Sequence, residues 1–320
     1  MKKTSLLLAL CIAFSAALAQ FPVDPAFIEK EVTLHTPTGD LFGLLTISQQ
    51  AQNMPLVIIV AGSGPTDHDG NNPMGVKAAP YKMLAEDLAG VGISALRFDK
   101  RGIAKSARAM VSESELRFDH YIEDVVAWVN LMRLDKHYTK IIIAGHSEGS
   151  LIGMVAAERA KADGFISIAG PGRPIDQILA EQLQNAPESM KEEIDQVMQS
   201  LKKGELVESV SMALFSIFRP SVQPYIINWM QYDPTVEIEK LRVPVLIIHG
   251  DTDIQVPESD AELLASAKYD AQLTVFENMN HVLKDSEADP AKNMATYGDP
   301  ALPLSQGLVE VIADYIKRIE

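Results

Sequence analysis

The amino-acid sequence predicts a doubly wound α/β fold, in which helices pack on both faces of a mostly parallel sheet. Strand-like and helix-like segments alternate along most of the chain with short connections, which is typical of this class. Strand-like segments such as 56–60 and 141–144 are continuous apolar runs, as expected of strands that are buried on both faces. With 320 residues, the chain is long enough to bury one large core.

The predicted elements begin with a hairpin and continue as strands separated by helices. Two alternating runs within residues 31–48 flank a Thr-Pro-Thr-Gly-Asp turn, which indicates the hairpin. Further strands are expected at 56–60, 93–98, 140–144, 165–169, 243–249 and 272–276. Apolar residues at helical spacing predict helices at 83–88, 121–132, 151–160, 258–267 and 308–319. Right-handed crossovers would place these helices on both faces of the sheet.

The alternation is interrupted between residues 171 and 234. Helix-like stretches follow one another there without a strand, at 175–183, 190–201, 206–218 and 225–230. Helices inserted beside the strand ends of such a sheet commonly form a lid over the site. We therefore predict a helical cap at 171–234 and a core formed by 20–170 and 235–320. We expect the cap aromatics Phe215, Phe218 and Trp229 to line a pocket; the alternative is a packing layer with no role in substrate choice.

Residues 1–19 have the pattern of a signal peptide. Two lysines precede an apolar run at 6–18, and Ala17-Leu18-Ala19 supplies the small residues of a cleavage site. The apolar run is shorter than the roughly 20 residues that span a bilayer, which argues against the alternative of a retained membrane anchor. We expect a secreted or periplasmic protein without a stable anchor. Because the chain's one cysteine, Cys11, lies in this segment, neither disulfide nor thiolate chemistry is expected.

The charge of the chain restricts its partners. The formal net charge is −15, and loss of the two lysines of the signal segment would make the protein more acidic still. Such a surface repels polyanions, so we expect no nucleic-acid partner. The sequence does not predict an oligomeric state.

The motif Gly145-His146-Ser147-Glu148-Gly149 lies directly between a predicted strand and a predicted helix. A serine at such a sharp turn is held in a strained backbone with its Oγ raised above the sheet, and the glycines let strand and helix approach closely. The helix N-terminus behind the serine favours developing negative charge. We interpret Ser147 as the nucleophile of an α/β-hydrolase elbow.

A serine nucleophile needs a base, and the base needs a carboxylate that holds its tautomer. In α/β-hydrolases the chain order is serine, acid, histidine. Only two histidines follow Ser147, and His249 precedes the candidate acids, so His281, after the last strand, is predicted to be the base. Asp251 and Asp253 both qualify chemically as the acid. Asp253 is favoured because it lies further into the turn, whereas Asp251 would cap the turn through local backbone bonds.

A tetrahedral oxyanion needs two N–H donors. The backbone of Glu148 should supply one, and the loop at 62–71 the other, from Ser63 or, as second choice, from Gly64. This loop lacks the third glycine of a dinucleotide motif, which argues against a dinucleotide site. The adjacent residues Asp67, His68 and Asp69 are interpreted as turn residues, because three neighbours rarely converge on one metal ion.

Over nearly all of residues 30–319 the chain resembles bacterial α/β-hydrolases of the secreted carboxylesterase and serine aminopeptidase (S33)-like group. The elbow, the loop at 62–71 and the turn at 98–102 carry the resemblance. The loop is similar to a Gly-Ser-Gly-Pro-Thr-Asp-x-Asp-Gly-Asn oxyanion loop, and the turn resembles an Asp-x-Arg-Gly motif, although Ala104 stands where glycine is usual. The resemblance implies Ser147, Asp253 and His281 as the triad, with a cap that varies with substrate. We interpret the turn at 98–102 as structural.

These residues predict a serine hydrolase that cleaves small or short-acyl carboxylic esters through an acyl-enzyme on Ser147, without metal or cofactor. One alternative is an aminopeptidase-like enzyme, which would need an acid to bind the free amine of its substrate. The cap offers Glu181, Glu188, Glu192 and Glu193, but their spacing is that of a solvated helix face. Another alternative is a non-catalytic binding protein on a hydrolase scaffold, which a complete Ser/Asp/His set argues against.

Overall fold

The computed structural model of the protein describes residues 27–49 and 53–319. The predicted signal peptide lies outside these residues. Among the helices of the described part of the chain, none is long and apolar enough to cross a membrane.

The strands form an eight-stranded sheet in the order β1-β2-β4-β3-β5-β6-β7-β8. Their bounds are Phe27–Thr36 (β1), Gly39–Ser48 (β2), Met54–Val60 (β3), Ser94–Phe98 (β4), Tyr138–His146 (β5), Gly164–Ile168 (β6), Val245–Gly250 (β7) and Gln272–Phe276 (β8). β1 and β2 form the predicted antiparallel hairpin, and β2 also pairs antiparallel with β4, whereas the remaining pairs are parallel. The prediction of a mostly parallel sheet with an N-terminal hairpin is confirmed.

Helices cover both faces of the sheet because alternate residues of the central strands point to opposite sides. The core helices are Pro80–Gly90 (α1), Phe118–Met132 (α2), Glu148–Ala160 (α3), Pro234–Lys240 (α8), Glu258–Ala267 (α9), Pro290–Thr296 (α10) and Leu308–Arg318 (α11). On one face, the buried ring of Trp128 packs with Ile58 and Ile143. On the other, Leu84 and Ile312 pack with strand neighbours such as Ile59. The doubly wound prediction is therefore correct.

Four of the five helices between β6 and β7 lie where the cap was predicted: Ile175–Gln182 (α4), Glu188–Lys202 (α5), Phe215–Phe218 (α6) and Gln223–Trp229 (α7). They have an apolar cluster of their own, with Leu201, Leu214 and Phe218 at its centre. The exact division of the chain at 171 and 234 stays a prediction.

The helix predicted at 206–218 is wrong over most of its length, because only Phe215–Phe218 is helical. The preceding backbone is held by side chains instead. The Gln223 amide accepts a hydrogen bond from the Val207 N–H at 2.7 Å and donates to the Val207 carbonyl at 2.9 Å. Glu193 accepts from the Ser211 N–H at 2.6 Å. These bonds occupy backbone groups that a helix would have paired within itself.

The junction of β5 and α3 needs glycine at two positions. A Cβ atom on Gly145 would collide with the Gly149 carbonyl, and one on Gly149 would collide with the carbonyl of Val60 on the neighbouring strand. Because these neighbours are backbone atoms, they cannot rotate away. The glycines of the motif therefore set how closely α3 approaches the sheet.

We expect Gly145→Ala to lower the free energy of unfolding by roughly 2–4 kcal/mol, since backbone must shift to admit the methyl group. Urea denaturation measures this. Gly90→Ala is the matched control, because an added Cβ there meets nothing within 4 Å. It should leave stability unchanged or raise it by up to about 1 kcal/mol through helix propensity. Equal effects of the two substitutions would contradict this explanation.

Candidate active site

Ser147 occupies the turn between β5 and α3 with φ 55° and ψ −128°. A positive φ is costly for a residue with a side chain, and such strain is typical of functional turns. The Ser147 N–H donates to the Ile168 carbonyl at 2.9 Å, which holds the turn against β6. Ser147 itself is only partly buried. The turn thus presents the hydroxyl at the carboxyl edge of the sheet, as predicted for an elbow.

His281 and Asp253 meet in the loops that follow β8 and β7. The distance between His281 Nδ1 and Asp253 Oδ2 is 2.7 Å. The other carboxylate oxygen accepts hydrogen bonds from the N–H groups of Gln255 and Val256, at 2.8 and 3.0 Å. Burial alone would raise the pKa of Asp253, but the His281 ring and these N–H groups hold that pKa below its ordinary value. The carboxylate therefore stays ionised and fixes Nδ1 as the protonated nitrogen of the imidazole.

Asp251 has a different partner from the one expected. It does not cap its own turn; its Oδ1 accepts the N–H of Asn278 at 2.7 Å and so joins the loop after β7 to the loop after β8. Local backbone bonds are made instead by Asp253. The buried His249 lies at the end of β7 and donates through Nε2 to the Val256 carbonyl at 2.9 Å. Its Nδ1 has no partner among the described residues.

His146, directly before Ser147, is a residue of the site that the sequence did not single out. Its Nε2 lies 2.8 Å from the His281 carbonyl, which can only accept, so this nitrogen carries the proton. Its Nδ1 therefore accepts from the Tyr81 hydroxyl at 2.8 Å, and that hydroxyl accepts from the Gly62 N–H at 3.1 Å. One chain of hydrogen bonds thus connects the loop after β3 with the backbone of His281.

Burial, reinforced by the His281 and His249 rings, lowers the pKa of His146 to about 3. The ring consequently stays neutral over the range in which most proteins are folded. Burial raises the pKa of Tyr81, so its hydroxyl remains protonated and can donate to His146.

The two predicted oxyanion donors line the same cleft as Ser147. Glu148 is the first residue of α3, where an N–H has no acceptor within the helix. Ser63 lies in the loop after β3, and an added Cβ on the preceding Gly62 would lie 3.0 Å from Ser147 Cβ. Gly64, the second choice, has φ 73° and lines an adjoining cleft instead. Of the two candidates in this loop, Ser63 is the one that lines the cleft of Ser147.

Two clefts adjoin at these donors and share Ser63, Glu148 and Trp229. The first has a volume of about 530 Å³ and is closed by the cap helix α4 and by the loop 254–256 beside Asp253. The second has a volume of about 300 Å³ and lies towards Lys100, Tyr121 and Tyr225. Both are lined largely by apolar side chains, which suits an uncharged organic substrate.

A buried ion pair between Lys100 and Glu148 lies between the loop after β3 and the cap. Lys100 Nζ lies 3.2 Å from Glu148 Oε2 and 2.6 Å from the Gly62 carbonyl oxygen. The hydroxyl of Tyr225, on the cap helix α7, donates to Glu148 Oε1 at 2.6 Å. Lys100 belongs to the turn at 98–102, which the sequence indicated only as structural.

The three adjacent polar residues of the loop after β3 have separate partners. Asp67 accepts the N–H groups of Asp69 and Asn71, each at 2.9 Å. The His68 ring lies 2.8 Å from Asp99, and Asp69 pairs with Arg97. The bonds of Asp67 are those of a turn residue, whereas His68 and Asp69 pair with residues of β4 and of the turn that follows it.

The four cap glutamates that were considered as partners of a substrate amine are likewise engaged away from both clefts. Glu181 pairs with Arg173, Glu188 with Lys191 at 2.7 Å, and Glu192 with Gln196 at 3.2 Å. Glu193 accepts the Ser211 N–H, as described above. None of them lines either cleft.

Comparison with known proteins places this chain in a family. The family model described as serine aminopeptidase, S33 matches residues 74–287. The chain belongs to this family. Among curated proteins, Esterase EstD of Thermotoga maritima is 30% identical over 278 residues, which are 83% of this chain and 62% of that protein. The chain thus spans less than two thirds of the length of that relative.

Solved structures share the fold at low sequence identity. Est1E from Butyrivibrio proteoclasticus, with ferulic acid bound, matches with a TM-score of 0.61 and 18% identity over 90% of this chain and 100% of that one. The alpha/beta hydrolase GrgF from a Penicillium species matches with a TM-score of 0.60 and 18% identity, over 91% and 99% of the two chains. The Pyrococcus horikoshii acylaminoacyl peptidase matches with a TM-score of 0.57 and 12% identity, over 92% and 42%. The predicted α/β-hydrolase fold is confirmed.

The low pKa of His146 predicts a specific loss of stability in acid. Between pH 6.5 and about 3 the unfolded chain protonates this residue while the folded chain does not, so lowering the pH favours unfolding. We expect the contribution of His146 to reach about 1.4 kcal/mol per pH unit at most. His146→Gln, which cannot titrate, should flatten the decline between pH 6 and pH 4 in urea denaturation. His137→Gln, at an exposed histidine, is the control; identical slopes for wild type and His146→Gln would contradict the explanation.

Proposed function

We propose that the protein is a serine hydrolase that cleaves carboxylic esters through an acyl-enzyme on Ser147. The observation that carries the proposal is the 2.7 Å contact between the buried Asp253 and His281, made at the sheet edge where the strained Ser147 turn lies. The name of the related Thermotoga protein, an esterase, supports the same chemistry.

In the proposed mechanism each residue has one role. Asp253 holds the proton on His281 Nδ1, which leaves Nε2 free to take the proton of Ser147 as its Oγ attacks the ester carbonyl. The N–H groups of Glu148 and Ser63 stabilise the oxyanion. Collapse of the tetrahedral intermediate breaks the bond to the alcohol, and His281 returns the proton to that alcohol. Water, activated by the same imidazole, then releases the acid and restores Ser147.

Ester hydrolysis is favoured over aminopeptidase activity by the charges that line the clefts. A free substrate amine needs an unpaired carboxylate, but the acidic residues of the two clefts, Glu148 and Glu113, are both engaged. Glu148 pairs with Lys100. Glu113 accepts from Arg219 Nε at 3.0 Å, and this bond, with one from Ser221, lowers the pKa of Glu113. An ammonium group would have to displace an existing cation in either cleft.

Two further features belong to the proposal. We infer that the protein acts as a secreted or periplasmic enzyme, on the basis of the signal-peptide pattern at 1–19. We also infer that its substrate is a small organic ester, because clefts of about 530 and 300 Å³ match the size of small-molecule sites.

The function is tested by comparing p-nitrophenyl esters with aminoacyl p-nitroanilides as substrates of the purified protein. We expect the esters to be hydrolysed with the higher kcat/KM, and Ser147→Ala to lose about 10⁴-fold or more of kcat. A Ser147→Ala protein of unchanged thermal midpoint that retains activity within about tenfold of wild type would disprove the nucleophile. Preference for the anilides would instead favour the peptidase.

The cap contributes Trp229 to both clefts, whereas two other predicted pocket residues lie elsewhere. Phe215 is 43% exposed and Phe218 is buried in the cap's own cluster, so the prediction that they line a pocket was wrong. Apolar residues at helical spacing do not show by themselves which of them face the interior of the cap and which face the pocket.

We expect Trp229→Ala to change the relative kcat/KM across esters of different acyl length by about 10-fold to 100-fold, because it enlarges both clefts. Phe215→Ala, at an aromatic residue of the same cap outside the clefts, is the matched control and should leave the ranking unchanged. If Trp229→Ala instead lowers activity on every ester equally and in step with the thermal midpoint, the cap only packs against the core.

A further inference from the structure

The ammonium group of Lys100 contacts the backbone carbonyl next to one candidate oxyanion donor and the side chain of the residue that carries the other. Its Nζ donates to the carbonyl oxygen of Gly62, next to Ser63, at 2.6 Å and to the carboxylate of Glu148 at 3.2 Å. The side chains of Lys100 and Glu148 are only 3% and 5% exposed, so water screens this pair weakly. Nζ also lies over the ring of Tyr121, 4.9 Å from its centroid, which adds a cation–π contact.

The bond to Gly62 acts on the donor itself. The carbonyl of Gly62 and the N–H of Ser63 belong to one planar peptide group. A cation that holds the oxygen therefore fixes the plane of the peptide and with it the direction of the Ser63 N–H. It also polarises the peptide, because a carbonyl that accepts a strong hydrogen bond makes the N–H of the same group a stronger donor. The second donor belongs to Glu148, whose side chain is tied to the same ammonium.

The turn that carries Lys100 is itself firmly held. On one side of the lysine, the Asp99 carboxylate accepts the N–H groups of His68 and Lys105, at 2.8 and 3.0 Å. On the other side, the Arg101 guanidinium makes two bonds to the buried Asp124, at 2.8 and 2.5 Å. Both neighbours thus fix the backbone of the turn, so that the lysine side chain reaches Gly62 from a rigid base.

The cap reaches the same carboxylate through Tyr225. Burial, together with the charge of Glu148, raises the pKa of Tyr225 well above its ordinary value, so the hydroxyl stays protonated and donates. Its 2.6 Å bond occupies Glu148 Oε1, and Lys100 occupies Oε2. The carboxylate thereby connects the cap helix α7 to the segment that carries the oxyanion donors.

We propose that Lys100 is a positioning residue of the oxyanion hole, which orients and polarises the Gly62–Ser63 peptide. Through Glu148 and Tyr225, it also fixes the position of the oxyanion hole relative to the cap helix α7. The inference deepens the proposed function and rests on it. It gives the turn at 98–102 a role in the reaction. It also requires that loss of the Lys100 ammonium weakens binding of the transition state more than binding of the substrate.

Lys100→Met tests the proposal because it removes the charge while retaining the length of the side chain. We expect kcat for a neutral p-nitrophenyl ester to fall by about 10-fold to 100-fold, somewhat less than the loss of a donor, with KM within about threefold of wild type. Affinity for an alkyl trifluoromethyl ketone, whose hemiketal oxyanion occupies the same donors, should fall by the same factor as kcat/KM. Lys105→Met is the matched control, because this exposed lysine of the same region pairs with Glu31 and packs on Phe42, away from both clefts; it should change neither quantity.

A second variant separates positioning from folding. Lys100→Met leaves the Glu148 carboxylate buried without its cation, which could destabilise the protein. The double variant Lys100→Met/Glu148→Gln removes both charges and keeps both backbone N–H groups. If it folds with a thermal midpoint near wild type and still shows the parallel loss of kcat and ketone affinity, the proposal is supported. Tyr225→Phe should show a smaller loss of the same kind.

Wild-type kcat and ketone affinity in a folded Lys100→Met or double variant would overturn the proposal, as would a loss confined to KM. Neither result would contradict the proposed function. That function is contradicted separately if Ser147→Ala keeps its esterase activity.

Discussion

The site depends on the close approach of α3 to strands β3 and β5. The glycines at 145 and 149 allow this approach, since a Cβ at either position would collide with backbone. The approach forces the intervening Ser147 to φ 55°, a conformation that the surrounding packing must sustain. The turn places the Ser147 hydroxyl beside the N-terminus of α3 at the carboxyl edge of the sheet. The loops that carry Asp253 and His281 begin at the same edge.

The two residues beside Ser147 connect its turn to different parts of the structure. His146 connects the turn through Tyr81 to the Gly62 N–H and through its other nitrogen to the His281 backbone. Glu148 connects the turn through Lys100 to the Gly62 carbonyl and through Tyr225 to the cap. Gly62 is thus held at both its N–H and its carbonyl. Such support from buried, fully paired groups is what keeps oxyanion donors in place without cost during a reaction.

The sequence was sufficient for the parts of the site that are local or ordered along the chain. The elbow is a local pattern, and the pairing of Asp253 with His281 follows from where parallel strands end. The support of the site was not predictable, because the partners are distant: Lys100 lies 38 positions from Gly62 and 48 from Glu148, and Tyr81 lies 65 from His146. The prediction of a helix at 206–218 was wrong for a related reason, since the side chain of Gln223 accepts a hydrogen bond from the backbone N–H of Val207. Asp251, expected to cap its own turn, joins two loops instead.

The most direct test of the account is to trap the covalent intermediate. The protein is mixed with p-nitrophenyl acetate, quenched in acid during turnover and digested, and the peptides are analysed by mass spectrometry. The account predicts one acetyl group on the peptide that contains Ser147, located on the serine by fragmentation. An acetyl group that accumulates during turnover on a residue other than Ser147 would contradict it.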